Sequence, residues 1–242
     1  MGNSLEERFW KHIANTVGSI PTGEQMSLVN KITKAEYKKI YDVPDKPIAV
    51  TRASYNKVLS KIWPKVVATT ASFSEVELLS KYIKFKPYYK VTSLASGLCV
   101  FELFLANEFV PKGKIQCIDL SVEMNERARA LARKLRQRNI RIITASATKI
   151  PISSNSQDLV LARRPGLSND KRWIKVLKES HRVLKGSRTS RFVYTVAEDF
   201  NKPAKDIKED LLATGFKFIA IRKFGIKEKA PSFMIIAKPV KQ

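Results

Sequence analysis

Lys90-Val91-Thr92-Ser93-Leu94-Ala95-Ser96-Gly97-Leu98-Cys99 decides the fold, because a short apolar run closes on a turn of small residues and then yields to a helical pattern. A turn of that kind lets a ligand approach the backbone near the start of a helix. About 22 residues beyond Gly97 a second run ends in Cys117-Ile118-Asp119-Leu120-Ser121. A carboxylate at such a strand end can accept both hydroxyls of a ribose. Open α/β sheets bind ligands beyond the C-terminal ends of their strands, so these two segments are the first candidates for a site.

Working outward, short apolar runs alternate with amphipathic stretches, the pattern of successive βα units in a parallel sheet. Strands are expected at Lys90–Ala95, Lys114–Asp119, Arg141–Thr144, Gln157–Ala162, Ser190–Val196, Lys217–Lys223 and Ser232–Lys238. Helices are expected over about Cys99–Phe109, Glu123–Gln137, Lys171–Leu184 and Pro203–Thr214, the last with Gly215 at its C-terminal cap. Only a short turn at Gly225-Ile226-Lys227-Glu228 joins the final two strands, which must therefore pair antiparallel. The expected architecture is α/β, a doubly wound and mostly parallel seven-stranded sheet. Ahead of it, Ser4-Leu5-Glu6-Glu7 fits a capping box for a helix to about Val17, and Ser72-Phe73-Ser74-Glu75 fits another for a helix through about Phe85. Further helix is expected at about Glu24–Ile40 and from about Ser54. The division expected is a helical extension over residues 1–88 and the α/β domain over residues 89–242.

Composition narrows the partners. The chain has 242 residues, 44% of them hydrophobic, enough for a proper core. No stretch approaches the roughly 20 apolar residues of a bilayer span, and Glu6 and Glu7 are unlike a secretion signal, so the expected compartment is the cytoplasm. Two cysteines, Cys99 and Cys117, and two histidines, His12 and His181, support neither a disulfide framework nor a metal site. Against 22 acidic residues stand 45 Lys and Arg, a net charge of +23 that points first to nucleic acid.

From Val91 onward the order and spacing of elements resemble the class I S-adenosylmethionine-dependent methyltransferases. The resemblance is carried by Pro111-Lys112-Gly113-Lys114, Ile118-Asp119-Leu120-Ser121 with Glu123-Met124, Ile150-Pro151 ahead of Asn155-Ser156-Gln157-Asp158-Leu159-Val160, and His181-Arg182-Val183-Leu184-Lys185. It implies a Rossmann-like sheet, S-adenosylmethionine as cofactor, and cofactor contacts at Ser93, Ala95, Gly97, Asp119, Leu120, Ser146 and Ala147. The family's first motif reads acid-x-Gly-x-Gly-x-Gly. The matching positions here are Ser93, Ala95, Gly97 and Cys99, so one glycine survives and the acid is a serine. Ser146 stands where an acid often faces the adenine.

After the fourth strand the chain reads Arg163-Arg164-Pro165-Gly166, unlike the motif of base amino-methyltransferases, and neither cysteine lies where a C5 methylase needs its nucleophile. No catalytic residue is assigned. Arg163 and Arg164 at the pocket mouth suit a phosphate. Arg129, Arg133 and Arg136 fall on one line of the helix after the second strand, opposite the apolar stripe Ala128, Leu131, Ala132 and Leu135. Trp10, Tyr37, Tyr41, Tyr55, Trp63 and Phe73 are core or base-stacking residues of the extension. Three functions remain open: methylation of a structured RNA such as ribosomal or transfer RNA; an inactive methyltransferase fold serving as an RNA- or ribosome-binding module; and methylation of a small molecule or protein. Oligomeric state is not legible.

Overall fold

A computed structural model describes residues 2–17, 73–163, 172–197, 203–224 and 232–240. The helices expected at 24–40 and from 54, the turn at 225–228, Arg164, Tyr37, Tyr41, Tyr55 and Trp63 lie outside the described residues. One sheet contains seven strands: β1 Lys90–Leu94, β2 Lys114–Asp119, β3 Ile140–Thr144, β4 Leu159–Arg163, β5 Arg191–Ala197, β6 Phe216–Phe224 and β7 Ser232–Pro239. Their spatial order is β3-β2-β1-β4-β5-β7-β6. The first five run parallel, and β7 slots antiparallel between β5 and β6. This is the doubly wound class I methyltransferase architecture that the sequence led us to expect, with strand order reversing between β1 and β4.

The described helices are α1 Leu5–Val17, α2 Phe73–Tyr82, α3 Val100–Glu108, α4 Val122–Lys134, α5 Trp173–Val183 and α6 Ala204–Ala213. Strand residues alternate between two cores, as a period of two requires. Val91, Ile115, Leu159, Leu161 and Val193 meet α1 to α4 on one face. Leu94, Ile118, Val160, Ala162 and Tyr194 meet α5 and α6 on the other.

The first capping box forms as read. Ser4 donates its N–H to Glu7 Oε2 at 2.8 Å, and Glu7 returns its N–H to Ser4 Oγ at 3.2 Å. Helix α1 then buries Phe9 and Ile13, sets Phe9 edge-on to Phe104 at 5.2 Å, and brings His12 Nε2 within 2.7 Å of the Val100 carbonyl. The N-terminal helices thus share the core of the sheet. Helix α2 stops at Tyr82, short of Phe85, since the approach to Pro87 disfavours helix.

Two boundaries have clear physical causes. Strand β4 starts at Leu159 because Gln157 bridges to Leu184 and the Asp158 carboxylate is taken by Lys90 N–H at 2.9 Å and Lys185 Nζ at 2.7 Å. Strand β2 can lie beside β1 because Gly113 has no side chain: a Cβ there would fall 2.1 Å from the Tyr89 carbonyl oxygen. Gly215, with φ of 88°, closes α6 as expected.

An ion pair on α5, Glu179 with Arg182, holds the loop between β3 and β4. Glu179 accepts from Arg182 Nε at 2.7 Å and from the Ile150 N–H at 2.7 Å, while Arg182 also reaches the Ile150 and Ile152 carbonyls. These bonds, led by Arg182, hold the Glu179 carboxyl below its usual range despite partial burial. A depressed folded-state pKa contributes stability that is present above the unfolded value and disappears as pH falls through the folded one. We expect Glu179→Gln to lower the urea midpoint at pH 7 and to flatten the loss of stability below about pH 4, the ordinary glutamate range; urea titrations between pH 3 and 7 check this.

Candidate functional site

The turn after β1 keeps a demanding backbone. Ala95, Gly97 and Cys99 adopt φ of 51°, 53° and 57°, so every second residue is left-handed. These are the three positions at which the resembling family carries glycine. A left-handed L-residue costs roughly 1–2 kcal/mol, so Ala95 and Cys99 hold the loop shape against their own preference.

The carboxylate at the end of β2 fastens that shape. Asp119 Oδ2 accepts the Gly97 N–H at 2.9 Å and Oδ1 accepts the Ser121 N–H at 2.9 Å. Only 4% of Asp119 is exposed. Burial pushes its carboxyl up, and the N–H groups of Ser121, Gly97 and Leu120 pull it down. Ser121 caps α4 by accepting from Met124 N–H at 3.1 Å, and Leu120 is half-buried beside it. Ala145 N–H reaches the Asp119 carbonyl at 3.1 Å, which brings the turn holding Ser146 and Ala147 against the same strand end. In that turn Ser146 Oγ meets Thr148 Oγ1 at 2.7 Å, and Ala147 packs on the lower core.

Ser93 turns away from the loop. Fully buried, it donates its hydroxyl to Glu102 Oε1 at 2.7 Å, from the first turn of α3. Glu102 is 1% exposed, and its Oε2 has no hydrogen-bond partner. Burial raises its carboxyl, opposed by the nearby Arg163 charge and the Ser93 hydroxyl. Arg163, at the end of β4, grips Glu75 of α2 through Nε and Nη2, both at 2.8 Å, and lies 3.7 Å from the centre of the Phe101 ring. The guanidinium offered by the sequence to a phosphate is therefore engaged within the protein.

The basic helix is α4. Arg133 and Arg136 are exposed, whereas Arg129 is half-buried and donates Nη2 to the Ile142 carbonyl at 3.3 Å. Arg136, with φ of 52°, ends the helix as a Schellman cap: its N–H bonds the Arg133 carbonyl and Gln137 N–H bonds the Ala132 carbonyl. Arg138 and Arg141 continue the exposed cations to the β3 edge of the sheet. Cys99 and Cys117 are both fully buried on the core side. Among the described residues no His, Cys, Asp and Glu cluster could hold a metal, and no helix is long and apolar enough to cross a membrane.

The structure thus brings Ser93, Ala95, Gly97, Asp119 and Leu120 to neighbouring strand ends, with Ser146 and Ala147 in the adjoining turn. Glu102 went unread in the sequence, and Glu75 was read only as part of a capping box. A signal existed for Glu102, a lone acid inside Val100-Phe101-Glu102-Leu103-Phe104-Leu105-Ala106.

Comparison with known proteins agrees with this geometry. Residues 91–187 match the family described as "Methyltransferase domain". The chain is 30% identical over 95 residues to the demethylmenaquinone methyltransferase of Listeria welshimeri, a match covering 39% of this chain and 40% of the relative. The same protein from Listeria monocytogenes matches equally. The chain thus spans about two fifths of the length of these curated relatives. Among solved structures, an S-adenosylmethionine-dependent methyltransferase from Aquifex aeolicus shares the fold at a TM-score of 0.56 and 19% identity, over 67% of this chain and 87% of that one. A chain in the complex formed by the Haloferax volcanii Trm112 methyltransferase activator does so at 0.64 and 12%, over 79% and 98%.

Replacing Ala95 by glycine removes about 1–2 kcal/mol of left-handed strain and adds about 0.4–1 kcal/mol of unfolded-chain entropy. We expect Ala95→Gly to stabilise the protein by about 0.5–1 kcal/mol, read as a raised urea midpoint at unchanged slope.

Proposed function

We propose that this chain, whose residues 91–187 form a methyltransferase domain of the class I S-adenosylmethionine-dependent superfamily, methylates a structured RNA such as ribosomal or transfer RNA. The observation that carries the reading is the turn at Ala95–Cys99, which keeps left-handed backbone at all three alternate positions and stays bonded to Asp119 although two of the glycines are gone. A fold retained only for its surface has no reason to maintain strain at a ligand turn. Bound S-adenosylmethionine supplies a methyl group activated on a sulfonium. Ser93, Ala95, Gly97, Asp119, Leu120, Ser146 and Ala147 are the residues that would hold it. Asp119 keeps acceptor capacity beyond the backbone bonds that it already makes.

The net charge of +23 supports a polyanionic substrate, because a small neutral acceptor gives it no role. Arg133, Arg136, Arg138 and Arg141 form the phosphate-facing surface along α4 and the β3 edge, with Arg129 anchoring that helix to the sheet. Arg163 holds α2 to the strand ends through Glu75, and the N-terminal extension of residues 1–88 is where substrate selection enters. A second reading, transfer to a small molecule, is favoured by the Listeria relatives, which are demethylmenaquinone methyltransferases.

Two measurements decide. Calorimetry with S-adenosylmethionine is expected to show binding that Asp119→Ala abolishes; no binding by the unaltered chain refutes the enzyme reading and leaves the RNA-binding module. Anisotropy with transfer RNA and ribosomal RNA fragments is expected to show affinity falling steeply with salt. Arg133→Ala and Arg136→Gly should each reduce the slope of log affinity against log salt by about 0.7–0.9, one phosphate contact. Arg136→Gly should do so while stabilising the helix end, since glycine is the favoured residue at that cap. A flat salt response favours the small-molecule acceptor.

A further inference from the structure

The cofactor-site acid missing from β1 has a substitute that no sequence motif marks. Ser93 occupies the position of that acid, and its hydroxyl leads at 2.7 Å to a carboxylate on the neighbouring helix. We propose that Glu102 is a cofactor-binding residue, its unpartnered oxygen receiving the cationic amino group at the amino-acid end of S-adenosylmethionine. The inference rests on the cofactor reading above.

Three observations support it. Glu102 is 1% exposed, yet Oε2 has no donor, and a buried carboxylate oxygen left unmatched costs more than almost any other unmet polar group. The residue could not be there for helix propensity or packing alone, because its neighbours Val100, Phe101, Leu103, Phe104, Leu105 and Ala106 are all buried and apolar. The nearest guanidinium is no remedy. Arg163 gives Nε and Nη2 to Glu75 and reaches Glu102 only through its longer-range charge.

The second support is location. Glu102 belongs to the helix that begins directly after the left-handed turn at Ala95, Gly97 and Cys99, and Ser93 fixes it against the same strand that feeds that turn. The third is chemical fit. The cofactor carries an ammonium, the one group on it that donates charged hydrogen bonds, and a buried carboxylate is its natural acceptor. Ser93 keeps the role of an aiming group: by holding Oε1 it leaves Oε2 for the ligand.

The groups around Glu102 set the pH response. Glu75 from α2, Arg163 from β4, and Cys117 from β2 with Cys99 at the head of α3 face this region. Burial dominates and raises the Glu102 carboxyl, so part of the free protein carries a proton there as pH falls. An ammonium arriving at Oε2 favours the ionised form, so ligand binding releases that proton and tightens as pH rises.

The test compares S-adenosylhomocysteine with its analogue lacking only the α-amino group, by calorimetry on the full chain. In the unaltered protein the amino group is expected to contribute about 10- to 100-fold in affinity, the range of a charge-assisted hydrogen bond. In Glu102→Gln that advantage should vanish while the analogue binds as before. Because a buried substitution can disturb folding, the unaltered protein gives a second reading. Its affinity for S-adenosylhomocysteine should rise with pH from the ordinary glutamate range upward, with proton release seen as a buffer-dependent heat, while the analogue shows neither. Equal losses for both ligands in Glu102→Gln, or identical pH profiles for both, overturn the assignment and leave the cofactor reading standing. Failure of the unaltered chain to bind either ligand overturns both together.

Discussion

A carboxylate buried at the end of β2 is the contact on which the strand-end architecture depends. Asp119 joins two segments that meet nowhere else through a charge: the turn after β1, through Gly97 N–H, and the start of α4, through Ser121 N–H. Its burial is tolerable because backbone donors surround it, the arrangement by which proteins place an anion in a poorly solvating interior. The turn can then keep left-handed residues that alanine and cysteine would not choose. Loop shape here comes from a tertiary anchor, where glycine would have supplied it locally.

A second set of buried charges ties the N-terminal helices to the same edge. Glu75 is fully buried and Arg163 is 20% exposed at the side chain, so their paired bonds act in a weakly screened setting. Buried ion pairs of this kind add little net stability over a well-packed apolar pair, but removing one partner costs about 3–5 kcal/mol by stranding the other. The pair therefore specifies where α2 sits more than it strengthens the fold. Phe101 covers the guanidinium, and the first turns of α3 become the meeting place of α1, α2, β1 and β4.

Local rules carried the sequence reading far, and the point at which they stop is instructive. Strand β2 was legible to the residue, and Gly113 before it and Asp119 at its end are both required by close contacts. The α1 capping box and the Gly215 cap were legible because they join residues a turn apart. The start of β4 was not, because Asp158 is diverted by Lys90 and Lys185, contacts across 68 and 27 residues. Ser72 of the second capping box lies outside the described residues, and what local rules could not show is that the Glu75 carboxylate goes to Arg163, 88 residues away. The three backbone positions of the family motif could be numbered from sequence, but not their conformation. That follows from Asp119, which is visible as a residue and invisible as an anchor.

The span between Glu75 and Arg163 has a consequence for biogenesis. A ribosome adding roughly 5–20 residues per second needs on the order of ten seconds to deliver the arginine after the glutamate. Through that interval Phe9, Ile13, Val76 and Leu79 can pack on β1 and α3, but the arginine that fixes Glu75 is still to come. The contact that fixes the start of α2 is thus completed late, and long-range closures of this kind slow folding and prolong the exposure of apolar surface.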